Sequence, residues 1–477
     1  MRTVSARLFA LGLASTLTAC VAGPAPEIST PTPQLPDSYF FSPDRPSRAS
    51  LAALLPTNDA AFLELTTAAL EGAPNLAEAV ARVDVARAGA SRAGAERLPN
   101  VGVDGNVTGN RINPNQFGSN NPFAQQIDTE QVSYGANLTA SWDADVFGRL
   151  RAQERAANAR VDAASASAAA VRIALLAEIA GSVTDWRVLA ARTEAIQSDV
   201  VAARQLAQLA KTREEAGIAP GFDRVRAQAA ASASRSRLAA LQSERVRIIG
   251  RLITLTGLTG AEVNAALAQG GPALNPGPAP GGLPSELLAN RPDVVAAAAE
   301  LAAADADLAA AARARFPRLT LSAVVGLLSF NAGDFFNEDS IVATLAAGVA
   351  APLVDFGRIE AEIDGAAASK RAAFQAYRAA VFQALGDAEA AYGLIAASDA
   401  EAQLAEQERD ELQRAARLAN DRYRAGLASF LEVLEARRAA DASGERAAAA
   451  MGRAERARIL LWQALGGGEY GVAETAS

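Results

Sequence analysis

The chain has 477 residues and is 50% hydrophobic, so it is long enough to form large buried surfaces. It contains 0 His and 1 Cys, which excludes internal disulfide bonds, His-based catalytic triads and nearly all zinc, copper and haem sites. The formal net charge of −8 argues against a nucleic-acid surface, and we expect no cofactor and no enzymatic activity.

The segment 1–19 has the pattern of a secretory signal peptide. Arg2 and Arg7 precede an apolar stretch over 8–17 that is too short to span a bilayer. After this segment no apolar run stands out as long enough for a transmembrane helix. If the chain crosses a membrane, we expect it to do so as β-strands.

The signal ends with Leu17-Thr18-Ala19-Cys20, where a small residue precedes the only cysteine of the chain. This pattern is typical of bacterial lipoprotein signals, so we expect lipidation of Cys20. Val21 stands where an inner-membrane retention signal would place Asp, which favours the outer membrane. The segment 20–50 is rich in Pro, Ser and Thr and is expected to include a tether.

The rest of the chain contains an internal repeat, in which one structural unit occurs twice. Two pairs of segments align at one constant offset: Pro74–Leu76 with Pro292–Val294, and Leu98–Val101 with Phe316–Leu319. Three pairs align at a second, smaller offset: Val146–Arg149 with Asp355–Arg358, Gly217 with Gly426, and Gly257 with Gly466. The change between the two offsets falls between Pro99 and Phe147, where a surface loop is expected.

We predict the same elements in both repeats, which cover 51–257 and 284–466. Repeat 1 is expected to contain a helix from Pro74 to about Arg97, a β-hairpin at about 99–147, a long helix at about 149–215 and a return helix at about 219–257. Repeat 2 is expected to contain their counterparts from Pro292 to about Arg315 and at about 317–355, 358–424 and 428–466. Each long helix would extend roughly 100 Å at about 1.5 Å per residue.

The predicted hairpins alternate apolar and polar residues. Six apolar residues from Val132 to Trp142 occupy alternate positions, and the second hairpin has the same parity because Trp142 aligns with Ala351. Strands of about 12 residues with one apolar face suit a tilted strand of a membrane barrel, although a half-buried soluble hairpin has the same pattern. Four strands cannot close a barrel, so we expect the chain to oligomerise, and a trimer would supply twelve strands.

Three motifs carry a resemblance to a known family: Gly282–Leu288 followed by Arg291-Pro292-Asp293, Trp142–Arg149, and Tyr423–Gly426. With them, the chain resembles the outer-membrane factor family of TolC-type ducts, in the lipoprotein branch related to OprM and NodT. The resemblance implies a mainly α fold with a β-barrel portion. Each chain would be an internally duplicated protomer of a trimeric 12-stranded outer-membrane β-barrel that continues into a 12-helix periplasmic α-barrel. An equatorial belt would include the N-terminal segment, the linker 258–283 and the tail 467–477.

The function implied by this resemblance is a passive exit duct of a tripartite efflux system. Its partners would be two further copies in a homotrimer, a periplasmic adaptor, an inner-membrane transporter of the RND type and outer-membrane lipid. One alternative is the duct of a type I protein secretion system. An alternative of another class is a periplasmic coiled-coil scaffold without a pore.

The resemblance also implies a periplasmic gate. Gly217 and Gly426 match the tip turns at which an adaptor docks, and the gate positions are matched by Asp223, Tyr423, Glu432 and Glu435. Threefold symmetry would bring three copies of each acid near one axis, where like charges repel. Without the resemblance, these acids would be interpreted as solvated helix-surface residues.

One position departs from the family pattern. Ala428 stands where TolC has a gating Arg, so the bonds that close the gate must differ. The basic residues that could replace it are Arg224, Arg226 and Arg437.

Overall fold

The structure is a computed structural model that describes residues 26–43, 51–111, 113, 130–272 and 274–468. The predicted signal peptide, Cys20 and most of the C-terminal tail lie outside the described residues. The chain forms two compact units. Of the described residues, the strand unit combines those within 26–30, 84–162 and 299–375, and the helix unit combines those within 31–83, 163–298 and 376–468.

The elements alternate in the duplicated order predicted from the sequence. The strands are β1 (Asn100–Arg111), β2 (Glu130–Asp143), β3 (Arg318–Ser329) and β4 (Ile341–Ala350). The helices are α1 (Ala60–Gly72), α2 (Pro74–Ala95), α3 (Arg149–Glu215), α4 (Gly221–Thr256), α5 (Gly260–Ala268), α6 (Leu287–Asn290), α7 (Pro292–Arg313), α8 (Arg358–Arg424) and α9 (Phe430–Ala464). Short 3₁₀ turns cover Leu51–Leu54, Pro284–Glu286, Ala332–Asp334 and Glu338–Ser340.

The strand unit contains one antiparallel sheet in the order β1-β2-β3-β4. Asn100 pairs with Ser141 in the first hairpin, and their counterparts under the two repeat offsets, Arg318 and Ala350, pair in the second. The two hairpins therefore have the same strand register. They join through β2 and β3, where Leu138 lies opposite Val325.

One face of this sheet is apolar. Because side chains alternate along a strand, the pairings place Val103, Leu138, Val325 and Ala343 in one row on the same face. Val103 is 82% exposed and Leu345, on the same face, is 84% exposed. The prediction of an apolar strand face is confirmed, but within the described protomer this face is not covered as in a half-buried soluble hairpin.

A capping Asp starts each long helix. The Asp145 carboxylate accepts hydrogen bonds from the backbone N–H groups of Leu150 and Arg151, at 2.8 and 2.9 Å. In repeat 2, the Asp355 carboxylate accepts from the N–H of Ile359 at 2.9 Å, and such backbone hydrogen bonds hold the pKa of Asp355 below its usual value. The motif before each long helix thus satisfies donors that a helix N-terminus leaves free.

The helix unit has a large apolar core. Side chains from both repeats and from α1 are less than 2% exposed there: Phe62, Leu65, Ile179, Leu252, Leu461 and Trp462. Two arginines, the partly buried Arg187 and the buried Arg458, attach the linker 258–283 to this core. Arg187 bonds both Asp59 oxygens and the Leu267 carbonyl, and Arg458 bonds both Asp399 oxygens and the Gly277 carbonyl.

Two details differ from the sequence expectations. The linker contains the helix α5, which begins with a capping box between Thr259 and Glu262. In addition, α3 contains an 18-residue stretch that is long and apolar enough to cross a membrane, judged by length and composition alone. The expectation that no such segment exists was too strong, because a high Ala content raises hydropathy. Leu175, Leu176 and Ile179 of α3 belong to the core of the helix unit.

Candidate functional site

The two tip turns have the same backbone geometry. Gly217 has φ of 70° and Gly426 has φ of 76°, a region that favours glycine. The N–H of Gly217 donates to the Glu214 carbonyl, and the N–H of the next residue donates to the Arg213 carbonyl, at 2.8 and 2.9 Å. The same two bonds recur after Gly426 at 3.0 and 2.7 Å. Each long helix therefore ends in a Schellman-type cap.

The helices that follow the turns begin differently. In repeat 2, Ser429 and Glu432 form a capping box, in which the Ser429 hydroxyl accepts from the Glu432 N–H and the Glu432 carboxylate accepts from Ser429. In repeat 1, Pro220 occupies the N-cap without a side-chain bond. Its first-turn acid is Asp223, the counterpart of Glu432. One predicted gate acid therefore also caps a helix.

Tyr423 lies in the apolar core of the tip. It is 4% exposed, and its ring meets the Phe430 ring edge-on with centroids 6.0 Å apart. The Arg213 guanidinium lies 4.5 Å from the centre of the Tyr423 ring and donates to the Tyr423 carbonyl at 3.4 Å. Within the protomer, Tyr423 thus packs the return helix against the long helices of both repeats.

In repeat 1, an ion pair stands at two positions that belong to the apolar cluster in repeat 2. The counterparts of Tyr423 and Val433 are Glu214 and Arg224, and the Arg224 Nε donates to Glu214 at 2.5 Å. Both side chains are about one-third exposed. The repeats therefore close equivalent turns by different forces: the first by charge and the second by apolar contact.

The structure does not bring the candidate arginines to the gate acids. Arg224 pairs with Glu214, and Arg226 lies over the Phe222 ring at 5.0 Å. Among the described residues, no hydrogen bond or ion pair reaches the carboxylate of Asp223 or of Glu435. Glu435 is exposed.

Arg437 instead faces a carboxyl cluster that the sequence did not reveal. The cluster contains Asp199 of α3, Arg237 of α4, and Arg437 and Asp441 of α9. Burial, followed by a hydrogen bond to Asp441, raises the pKa of Asp199 to about 8. Two carboxyl groups can share a hydrogen bond only when one is protonated, so the pair holds a proton at neutral pH.

Repeat symmetry provides a signal for this cluster. The counterparts of Asp199 and Arg237 are Glu408 and Arg446, which form an ion pair at 2.6 Å in repeat 2. In repeat 1, Arg237 bonds Glu445 at 2.9 Å instead. Arg237 therefore does not form with Asp199 the ion pair that Arg446 forms with Glu408. A cavity of about 340 Å³ lies beside the cluster, lined by Ala203, Leu206, Ser234, Arg237, Leu434, Arg437, Arg438 and Asp441, among others.

No metal site emerges. Within the ranges that the structure describes, no group of three or more His, Cys, Asp or Glu side chains is arranged to hold a metal ion.

Comparison with known proteins identifies the family. The model of the outer membrane efflux protein family matches residues 65–258 and 283–467. The chain is 32% identical over 402 residues to the pyoverdine export outer membrane protein OpmQ of Pseudomonas aeruginosa, with 84% of each chain covered. It is 29% identical over 429 residues to the toluene efflux pump outer membrane protein TtgI of Pseudomonas putida, covering 88% of this chain and 89% of TtgI.

Solved structures agree with this match. The outer-membrane channel OprN superposes with a TM-score of 0.84 at 25% identity, covering 93% of this chain and 99% of OprN. The predicted fold class and the resemblance to TolC-type ducts are confirmed. The relatives are channels rather than enzymes, and a scaffold without a pore does not fit them. The chain belongs to the outer membrane efflux protein family and is an efflux duct of the outer membrane.

Proposed function

We propose that this duct is a lipid-anchored homotrimer and the passive exit of a tripartite efflux system. Three copies close a 12-stranded barrel in the outer membrane, and Cys20 carries the lipid. A periplasmic adaptor docks on the turns at Gly217 and Gly426. An inner-membrane transporter of the RND type supplies the energy.

The observation that carries this proposal is the uncovered apolar face of the four-stranded sheet. Its strands have 10 to 14 residues, and a tilted strand needs about 9–11 to cross the hydrocarbon core. Val103, Leu345 and Val349 on this face are each more than two-thirds exposed. Lipid would cover such a face. Further copies would pair with the two edge strands and satisfy their backbone N–H and C=O groups, which have no strand partner in a single protomer.

Small organic molecules are the proposed substrates. The names of the relatives include pyoverdine export, toluene efflux and solvent efflux. These names favour small-molecule efflux over a type I protein secretion duct. The transporter genes beside this gene would separate the two, since an RND pump fits efflux and an ABC exporter fits protein secretion.

The direct test is a complementation experiment. A strain that lacks this gene should become sensitive to toluene-like solvents, and the wild-type chain should restore tolerance. A Cys20→Ser chain should lose the lipid, detected as a lower mass, and restore tolerance less well. Unchanged solvent, dye and siderophore export in the deletion strain, together with loss of a secreted protein, would favour the secretion alternative.

The gate is proposed to lie at the tip turns, where Asp223 and Glu435 lack partners among the described residues of the protomer. Near a threefold axis these acids would be brought together and would need bonds between subunits. We expect Asp223→Asn with Glu435→Gln to make cells sensitive to a bulky hydrophilic antibiotic that an intact outer membrane excludes. Glu411→Gln, an exposed acid far along α8, is the matched control. Equal resistance of all three strains would contradict this gate.

A further inference from the structure

The sheet has two open edges in the described protomer, the outer sides of β1 and β4. The inner seam, between β2 and β3, joins repeat 1 to repeat 2 of the same chain. In a closed ring of duplicated chains, repeat 2 of one copy must meet repeat 1 of the next. The inner seam can therefore serve as a template for the seam between copies, an argument that rests on the proposed trimer.

The two repeats are similar enough for this transfer, because their hairpins have identical register under the two repeat offsets. In the inner seam, Leu138 pairs with Val325. The counterpart of Leu138 is Ala347 and the counterpart of Val325 is Val107. At the seam between copies, Ala347 of one copy would therefore lie beside Val107 of the next. Two neighbouring pairs follow in the same way: Val349 beside Gly105, and Leu345 beside Gly109.

This register matches large side chains with small ones. Leu345 and Val349 each face a glycine, and Val107 faces an alanine. A slip of two residues one way would set Leu345 against Val107, and a slip the other way would set it against Arg111. Complementary volumes on one face therefore select the transferred register over its nearest alternatives.

The glycines support the same conclusion. Glycine weakens a strand, and in a strand interior it often marks close approach of another backbone or group. A Cβ atom added at Gly109 would meet nothing within 4 Å, and one at Gly105 would make only an ordinary contact at 3.8 Å with the Gly135 carbonyl. The protomer itself does not require glycine at either position, whereas the large β4 side chains of a neighbour would.

An aromatic contact lies at the end of the inner seam, and the two residues at the equivalent positions of the outer edges are exposed in the protomer. Phe147 stacks on Phe316 with ring centroids 4.8 Å apart and planes 10° apart. The counterpart of Phe147 is Phe356, which is 99% exposed and has an uncommon φ of 54°. The counterpart of Phe316 is Leu98, which is 65% exposed. We propose that β4 of one copy pairs with β1 of a second copy at Ala347 and Val107, and that Phe356 packs on Leu98 of that copy.

Cysteine cross-linking tests the register. The chain carrying Ala347→Cys and Val107→Cys is treated in membranes with copper phenanthroline, which oxidises two thiols to a disulfide as oxygen is reduced. We expect covalent dimers and trimers, at least tenfold more than from Ala347→Cys with Val103→Cys. That control lies four residues along the strand, about 13 Å away at about 3.3 Å per residue. Each single-cysteine chain controls for links through Cys20.

The outcomes separate this inference from the proposed function. A native trimer that cross-links better through Val103→Cys than through Val107→Cys overturns the register and leaves the duct intact. A monomer by native mass, with no cross-link in any pair, overturns the trimer itself.

The aromatic contact has its own test. Leu98→Phe should raise the temperature at which the trimer dissociates, because it restores the stack seen at Phe147 and Phe316. Phe356→Ala should lower this temperature and abolish the gain from Leu98→Phe. Equal gains from Leu98→Phe with and without Phe356 would overturn the contact.

Discussion

Replacing Arg291 is expected to destabilise the helix unit strongly. This side chain is 8% exposed and belongs to the Arg291-Pro292-Asp293 motif at the start of α7. Its guanidinium donates to Asp293 at 2.6 and 3.0 Å, to Asp387 of α8 at 2.9 Å, and to the Ala464 carbonyl at the end of α9 at 3.2 Å. One buried cation thus joins three helices, which gives the family motif a structural reason.

The size of the effect follows from these bonds. Burial opposes ionisation of Asp293, but the hydrogen bonds and charge of Arg291 outweigh it and keep the pKa of Asp293 below its usual value. Breaking a buried ion pair costs about 3–5 kcal/mol. Both acids here are about two-fifths exposed, so we expect about 2–4 kcal/mol for Arg291→Ala and about half of that for Arg291→Lys.

Thermal denaturation followed by far-UV circular dichroism measures this effect. The matched control is Arg82→Ala, which removes an exposed ion pair with Glu78 and should change stability by less than about 0.5 kcal/mol. The reasoning would be refuted if Arg291→Ala melted within the error of Arg82→Ala. Acidification should weaken the wild-type chain more than Arg291→Ala, since a lowered pKa contributes stability that is lost as pH falls.

Three further predictions concern the tip turns and the helices that meet at them. The raised pKa of Asp199 contributes stability that is fully present below its unfolded pKa of about 4 and is lost as pH rises to about 8. The melting temperature should therefore fall between about pH 5 and pH 8, level off above that, and change less in Asp199→Asn; equal slopes would contradict the shared proton. Gly217→Ala should destabilise by about 1–2 kcal/mol because of the positive φ, whereas Gly444→Ala, within α9 and with open space around its Cβ position, should stabilise by up to about 1 kcal/mol; the same sign for both changes would be inconsistent with the turn geometry. Ser429→Ala should cost about 1 kcal/mol by removing the capping box, and Ser429→Asp should retain most of the stability; a neutral Ser429→Ala would argue against the cap.

Local signals made the long elements predictable. A phenylalanine, glycine and arginine mark the start of each long helix, and a glycine with positive φ marks its end, so α3 and α8 have the bounds expected from the sequence. The hairpins are predictable because the alternation of apolar and polar residues places the strands at the same positions as the aligned motifs of the two repeats. The helix α5 is harder to predict: Thr259 and Glu262 have capping-box spacing, but the Gly and Pro residues around the helix favour an irregular linker.

Contacts between distant helices were not predictable in the same way. No local pattern indicates that Tyr423 is buried against Phe430, and repeat symmetry singles out Asp199 without indicating that Arg437 faces it rather than a gate acid. These choices depend on which helices become neighbours, and a single helix pattern does not record that. The gate roles of Asp223, Tyr423, Glu432 and Glu435 remain predictions that depend on the assembled trimer.

Single-channel recording tests the central claim most directly. The purified full chain, reconstituted into planar lipid bilayers, should insert and give discrete conductance steps. Chains carrying Asp223→Asn and Glu435→Gln should give larger or longer openings than the wild type, and Glu411→Gln should behave as the wild type does. A purified trimer that never conducts, even with Asp223, Glu432 and Glu435 neutralised, would contradict the account of this protein as an outer-membrane duct.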